Sequence, residues 1–163
     1  MTDELPVDAT IQRLVDTYPN LFRGKPPRVF SFLPDGWYTL ADSLCADIET
    51  ELGVESSSPF EVRQIKSKFG GLRFYFRFGR FEELHVDFQT ISGERQSVAL
   101  ARSDSAGMTE ERLRRLVSAA CAASESICEV CGAAARTRNI GGWYATLCDV
   151  HAREQAAGGQ SGV

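Results

Sequence analysis

Apolar positions along the chain first repeat at helical spacing. Asp8 stands where a helix cap would, and Ile11, Leu14, Val15 and Tyr18 follow on one face before Pro19 stops the run. Residues 19–37 hold four prolines and two glycines, which predicts a connecting loop. Phe22, Val29, Phe30 and Phe32 within it are expected against the core. Thr39 opens a second stripe of Leu40, Ala41, Leu44, Cys45, Ile48 and Leu52, with Gly53 as the stop. Thr109 is placed to cap a third helix, whose buried face is Leu113, Leu116, Val117, Ala120 and Cys121.

Between these helices the period changes to two. Residues 60–68 and 72–79 read as strands around a Gly70-Gly71 turn. That turn sets Phe69 opposite Leu72, Lys68 opposite Arg73 and Lys66 opposite Tyr75. Residues 84–91 alternate, Ser92-Gly93 turns the chain, and 95–102 read as a fourth strand. The expected fold is α+β. An antiparallel sheet of about four strands packs with two or three helices over residues 1–126, a zinc ribbon spans 127–151, and 152–163 form a flexible tail.

Composition adds the setting. Apolar residues make up 43% and charged residues 25% of 163, as in ordinary globular proteins. The polar, acidic start MTDELPVDAT lacks the basic and apolar regions of a secretory signal, and no apolar run reaches membrane-spanning length, so a cytoplasmic protein is expected. The net charge of −4 argues against a general nucleic-acid coat. Residues 60–80, however, carry six basic side chains against Glu61 alone, which points to one specific anionic partner.

The cysteines carry the sharpest chemistry. Cys45 and Cys121 fall on apolar helix faces and read as small buried hydrophobes. Cys128 and Cys131 form a C-x2-C pair, and Cys148 and His151 form a C-x2-H pair after sixteen residues. Two such pairs give four donors for tetrahedral zinc. Gly132 relaxes the first knuckle. Gly141-Gly142 and the strand-like run from Trp143 to Leu147 supply the hairpin that returns the second pair. A disulfide framework wants an oxidising compartment and an even cysteine count. A redox pair leaves Cys148 and His151 unexplained. Four protein donors leave no open position, so the zinc is structural. An HNH-type nuclease would need a further histidine as base, and only His85 remains, in a strand far upstream.

In the expected register one hairpin face carries Gln64, Lys66, Lys68, Arg73, Tyr75 and Arg77, while Ile65, Phe69, Leu72, Phe74, Phe76 and Phe78 face the core. A basic face with a central aromatic suits a phosphate chain or an acidic protein surface. A solvated sheet face is the plainer reading. Trp37-Tyr38 and Trp143-Tyr144 are expected to pack a loop and a hairpin onto the body, and Arg112, Arg114 and Arg115 to be solvated. FGGL lacks the lysine and following helix of a phosphate loop.

The strings IKSKFGGLRFYF (65–76), CEVCG (128–132) and TLCDVH (146–151) resemble a group of small uncharacterised bacterial and prophage zinc-ribbon proteins. These share a helix with a Trp near its start, a K-x-K-[FY]-G-x-L-R-[FY] hairpin and a terminal C-x2-C-G with a later Cys or Cys-His pair. Residues 80–105 read as an insertion relative to shorter members. The resemblance implies ligand roles for Cys128, Cys131, Cys148 and His151 and a link to mobile elements. It implies no mechanism. The expected function is a non-catalytic, zinc-stabilised protein-binding module, such as an inhibitor, immunity or anti-defence factor, meeting an acidic protein surface through Lys66, Lys68, Arg73, Tyr75 and Arg77. The alternative is a nucleic-acid-binding accessory protein using the same face with Arg136 and Arg138. An enzyme would need a site that the sequence does not show. No membrane role is expected.

Overall fold

The computed structural model describes residues 7–53, 60–79, 86–89, 95–98 and 104–158. Helix α1 (Ala9–Thr17) begins as expected, with the Asp8 carboxylate accepting from the Ile11 amide. A short α2 (Pro19–Phe22) follows, because proline at the first helical position lacks only an amide that has no partner there. Residues 35–37 form a single 3₁₀ turn that leads directly into α3 (Tyr38–Leu52), so Thr39 lies inside the helix rather than at its cap. Helix α4 (Asp104–Ser124) starts five residues before Thr109.

The strands form three two-stranded antiparallel ladders: β1 (Phe60–Lys68) with β2 (Gly71–Phe78), β3 (Val86–Gln89) with β4 (Arg95–Val98), and β5 (Arg136–Ile140) with β6 (Trp143–Leu147). The α+β class holds. A single four-stranded sheet is not formed among the described residues: β1–β2 and β3–β4 pair within themselves. The remainder of the expected strands at 84–91 and 95–102, His85 included, and the loop at 55–59 lie outside the described residues.

The main core is assembled from one face each of α1, α3, α4 and the first hairpin. Ile11, Leu14, Trp37, Leu44, Ile48, Phe60, Ile65, Leu72 and Leu113 are almost wholly buried. Tyr18 ties α1 to α3 by donating to the backbone carbonyl and carboxylate of Asp42. Burial, and then that carboxylate, push its phenol up to about 12.

The β1–β2 register differs from expectation. Lys68 pairs with Gly71, Ser67 with Leu72, Lys66 with Arg73, Ile65 with Phe74 and Gln64 with Tyr75, so the turn residues are Phe69-Gly70. Both have left-handed backbones, φ 55° and 73°, as a type I′ turn requires. Each strand residue meets a partner two places from the expected one. Two residues is the pleat repeat, so the faces survive the error. Phe69 does not survive it: in the turn it is 68% exposed instead of joining the core. A bulge at Arg63 then shifts the ladder, pairing Val62 with Phe76 and Glu61 with Arg77.

Three further expectations are corrected. Val29, Phe30 and Phe32 are exposed. Residues 30–32 run along the free edge of β1, with the Phe32 amide donating to the Ile65 carbonyl at 2.9 Å. Trp143 is 78% exposed at the ribbon tip rather than packed onto the body, while Tyr144, 52% exposed, meets the body at the Phe69 ring. The expected tail is helical through residue 158: α5 (Asp149–Gly158) continues without a break from the second ligand pair, and Ala-Arg-Glu-Gln-Ala are strong helix formers. No helix among the described residues is long and apolar enough to cross a membrane.

Candidate metal centre

Cys128 and Cys131 sit in a tight turn closed by the Gly132 amide donating to the Cys128 carbonyl at 2.9 Å. Strands β5 and β6 carry the chain out and back through Gly141-Gly142, both with positive φ. Cys148 then stands just before α5, and His151 lies in its first turn. The four donor atoms fall within 4.8 Å of one another. Cys128 Sγ and Cys148 Sγ lie 3.5 and 3.2 Å from His151 Nδ1, and Cys131 Sγ lies 4.0 Å from Cys148 Sγ. An ion held at about 2.3 Å from thiolates and 2.0 Å from imidazole sets sulfurs about 3.8 Å apart, and sulfur about 3.5 Å from nitrogen, in a tetrahedron. The cluster therefore fits one metal ion with no further ligand, and all five cysteines are free thiols.

The backbone prepares the thiols for ionisation. Burial of Cys128 opposes it, but amides of Cys148, Cys131 and Val130, with His151, outweigh burial and bring this thiol down to about 6. The amides of His151 and Val150, at the start of α5, act the same way on Cys148. On the far side of the ring, His151 Nε2 faces the Glu154 carboxylate at 3.8 Å, where a ligating imidazole commonly keeps an orienting partner.

The ribbon does not hang free. Gly36 donates to the Glu129 carbonyl at 2.8 Å, and a Cβ on Gly36 would lie 2.1 Å from the Cys128 carbonyl oxygen. The Trp37 indole N–H donates to the Ile127 carbonyl at 2.8 Å. From inside the knuckle, the Glu129 carboxylate accepts from the Thr146 amide at 2.8 Å and from the Ser67 hydroxyl at 3.4 Å. Burial pushes its carboxyl upward against those two donors. The first hairpin reaches the ribbon with its turn. Thr146 donates its hydroxyl to the Gly70 carbonyl at 2.5 Å, and a Cβ on Gly70 would press within 2.9 Å of Thr137. Phe69 meets Tyr144 edge-on, with ring centroids 6.4 Å apart.

The four donors are legible from their spacing in the sequence, whereas the joint is not. The signals were present as Gly36 before Trp37 and as the glycine pair in FGGL. A glycine tolerates close backbone approach as well as a turn.

The expected partner face is split. Arg77 faces Glu61 at 3.4 Å, and Arg63 faces the same carboxylate at 3.3 Å, so one acid is shared by the two cations of this lower end. Lys66, Lys68, Arg73 and Tyr75 do share the outer face. Lys66 Nζ stands 5.5 Å from the centre of the Tyr75 ring, and Lys68 Nζ 5.2 Å from that of Phe69. On α4, Arg114 and Arg115 pair with Glu110 and Glu111, while Arg112 bridges to Glu51 of α3. On the ribbon, Arg138 pairs with Asp149.

No protein-family model, curated protein or solved structure matches this chain.

Proposed function

We propose that the chain is a non-catalytic binding module whose C-terminal ribbon is held in shape by one structural zinc ion. The supporting observation is the closed set of four donors, three thiols and one imidazole, at tetrahedral spacing. Sulfur and nitrogen donors in a tetrahedron favour zinc among the common divalent ions. With four protein ligands, no position is left for water or substrate, so the ion serves the fold. Metal analysis of purified protein tests this: about one zinc per chain is expected, and a content near zero, or iron in its place, overturns it.

The module's partner is anionic, because cations and exposed rings share one face of the first hairpin. An acidic protein and a nucleic acid would both meet those cations, and the two differ in what the rings contact. A role for a mobile element, as an inhibitor, immunity or anti-defence factor, rests on the resemblance of the hairpin and cysteine strings. Toxin or defence genes beside the coding sequence would support it, and a housekeeping operon would remove it.

A further inference from the structure

We infer that the outer face of the first hairpin, continued across its turn onto the ribbon, binds single-stranded nucleic acid. The inference deepens the binding-module reading and rests on it. Tyr75, Phe69 and Tyr144 lie along this face, 46%, 68% and 52% exposed. Lys66 and Arg73 pair across the ladder, and Lys68 follows on the same face. Residues 64–76 contain no Asp or Glu. Cations thus lie between Tyr75, in the middle of the hairpin, and the Phe69–Tyr144 pair where the turn meets the ribbon, and the stretch from Tyr75 to the turn spans about 17 Å at 3.4 Å per strand residue. That length accommodates a few nucleotides.

Two features set this surface apart from an ordinary solvated sheet. Like charges directly opposite each other, as in Lys66 and Arg73, weaken a strand pair, and the Arg73 guanidinium turns back to the Leu72 carbonyl and towards Glu125, which leaves Lys66 and Lys68 as the cations open to an anion. Phe69 holds a left-handed backbone that disfavours any residue with a Cβ, at a turn where Gly or Asn is usual, and still turns most of its ring to water. The fold gains little from a phenylalanine there, whereas a stacked base gains an aromatic platform. Exposed rings accept the faces of unpaired bases, which a duplex keeps stacked inside. An acidic protein would use the cations but has no general need for a row of rings. Trp143 lies on the opposite face of the ribbon with Ile140 and is not part of the track.

The test is fluorescence anisotropy with the full chain, loaded with one zinc, and a labelled 20-nucleotide oligo-dT. A duplex of the same length and poly-glutamate serve as competitors. Expected are binding at 50 mM salt that weakens steeply by 200 mM, and poor competition by both competitors. Phe69→Gly suits the turn's backbone and keeps the fold, and should weaken binding about tenfold, as should Tyr75→Ala. Lys68→Glu should weaken it further, and Arg13→Glu, on α1 where the side chain lies over the Tyr38 ring, should leave it unchanged. No binding at 50 mM salt, equal competition by the duplex, or full affinity in Phe69→Gly overturns the inference. Equal competition by poly-glutamate overturns it in favour of an acidic protein partner. Loss of oligo-dT binding with zinc intact counts against this inference alone. Zinc-free protein counts against the binding-module reading and, with it, the inference.

Discussion

The Gly36 amide donates to the carbonyl of Glu129 at 2.8 Å, joining the turn before α3 to the middle of the metal knuckle. Glycine is required at that point, since any Cβ would overlap the Cys128 carbonyl at 2.1 Å. Gly36→Ala should therefore push the knuckle off the body. A loss of about 3 kcal/mol in urea unfolding is expected, the upper range for forced overpacking against backbone that cannot yield. Unchanged stability would mean that the two segments are not in contact.

Stripping the metal should be felt in the main core as well as in the ribbon. Trp37 is fully buried and donates to Ile127, while Trp143 is exposed. In a Trp143→Phe background, a strong chelator should shift the remaining tryptophan emission to the red. Exchange protection should fall at the amides of Gly36, Glu129 and Thr146, while amides within α1 keep theirs. An unchanged emission spectrum in metal-free protein would refute this coupling.

Glu129 distinguishes hydrogen bonding from charge. Its carboxylate serves Thr146 and Ser67 across the joint. Glu129→Ala leaves the Thr146 amide without a partner and should cost about 1–3 kcal/mol. Glu129→Gln keeps an acceptor for that amide and sheds a poorly solvated charge, so it should lie within about 1 kcal/mol of the parent. Equal losses in the two variants would show that the carboxylate's charge, rather than an acceptor or its packing, carries the effect.

Tyr18 should contribute to the alkaline limb of the fold, alongside the Cys45 thiol, which burial also pushes well above its usual range. In the unfolded chain the phenol ionises near pH 10, whereas in the native state it holds its proton to about 12. The folded state binds the proton more tightly, so this contribution is complete below pH 10 and is lost as pH rises from 10 towards 12. Tyr18→Phe should make that limb less steep without abolishing it, while costing about 1 kcal/mol at neutral pH for the lost bond to Asp42. The check is the difference in unfolding midpoint between pH 8 and pH 11 for the two proteins.

What the sequence disclosed was local. The stripe of α1, its Asp8 cap and the two ligand pairs each lie within a few residues, where helical periodicity and knuckle spacing leave little choice. The errors arose where a distant contact decides. FGGL reads as a Gly-Gly turn, but the turn falls on Phe69-Gly70, where Gly70 is pinned by Thr146, 76 residues away. β1–β2 and β3–β4 each pair locally, whereas the joining of the two hairpins into one sheet would have been a non-local contact that alternation alone cannot decide. The cationic character of the hairpin was legible, but the pairing of Arg77 with Glu61 depended on a bulge at Arg63 that no spacing announces. Helix α5 was within reach of propensity alone, and the glycine-rich end obscured it.

The joint also fixes an order of events in folding. Gly36 and Glu129 are 93 positions apart, as are no two partners within α1 or the first hairpin. Closing so long a loop is slow relative to forming local elements. The hairpin turn and the Trp37 segment must therefore exist before the knuckle has anything to settle on. The four donors all lie within residues 128–151, so gathering them is a local event, and seating the knuckle on Gly36 is the late step; a chain halted short of it would leave that seam open.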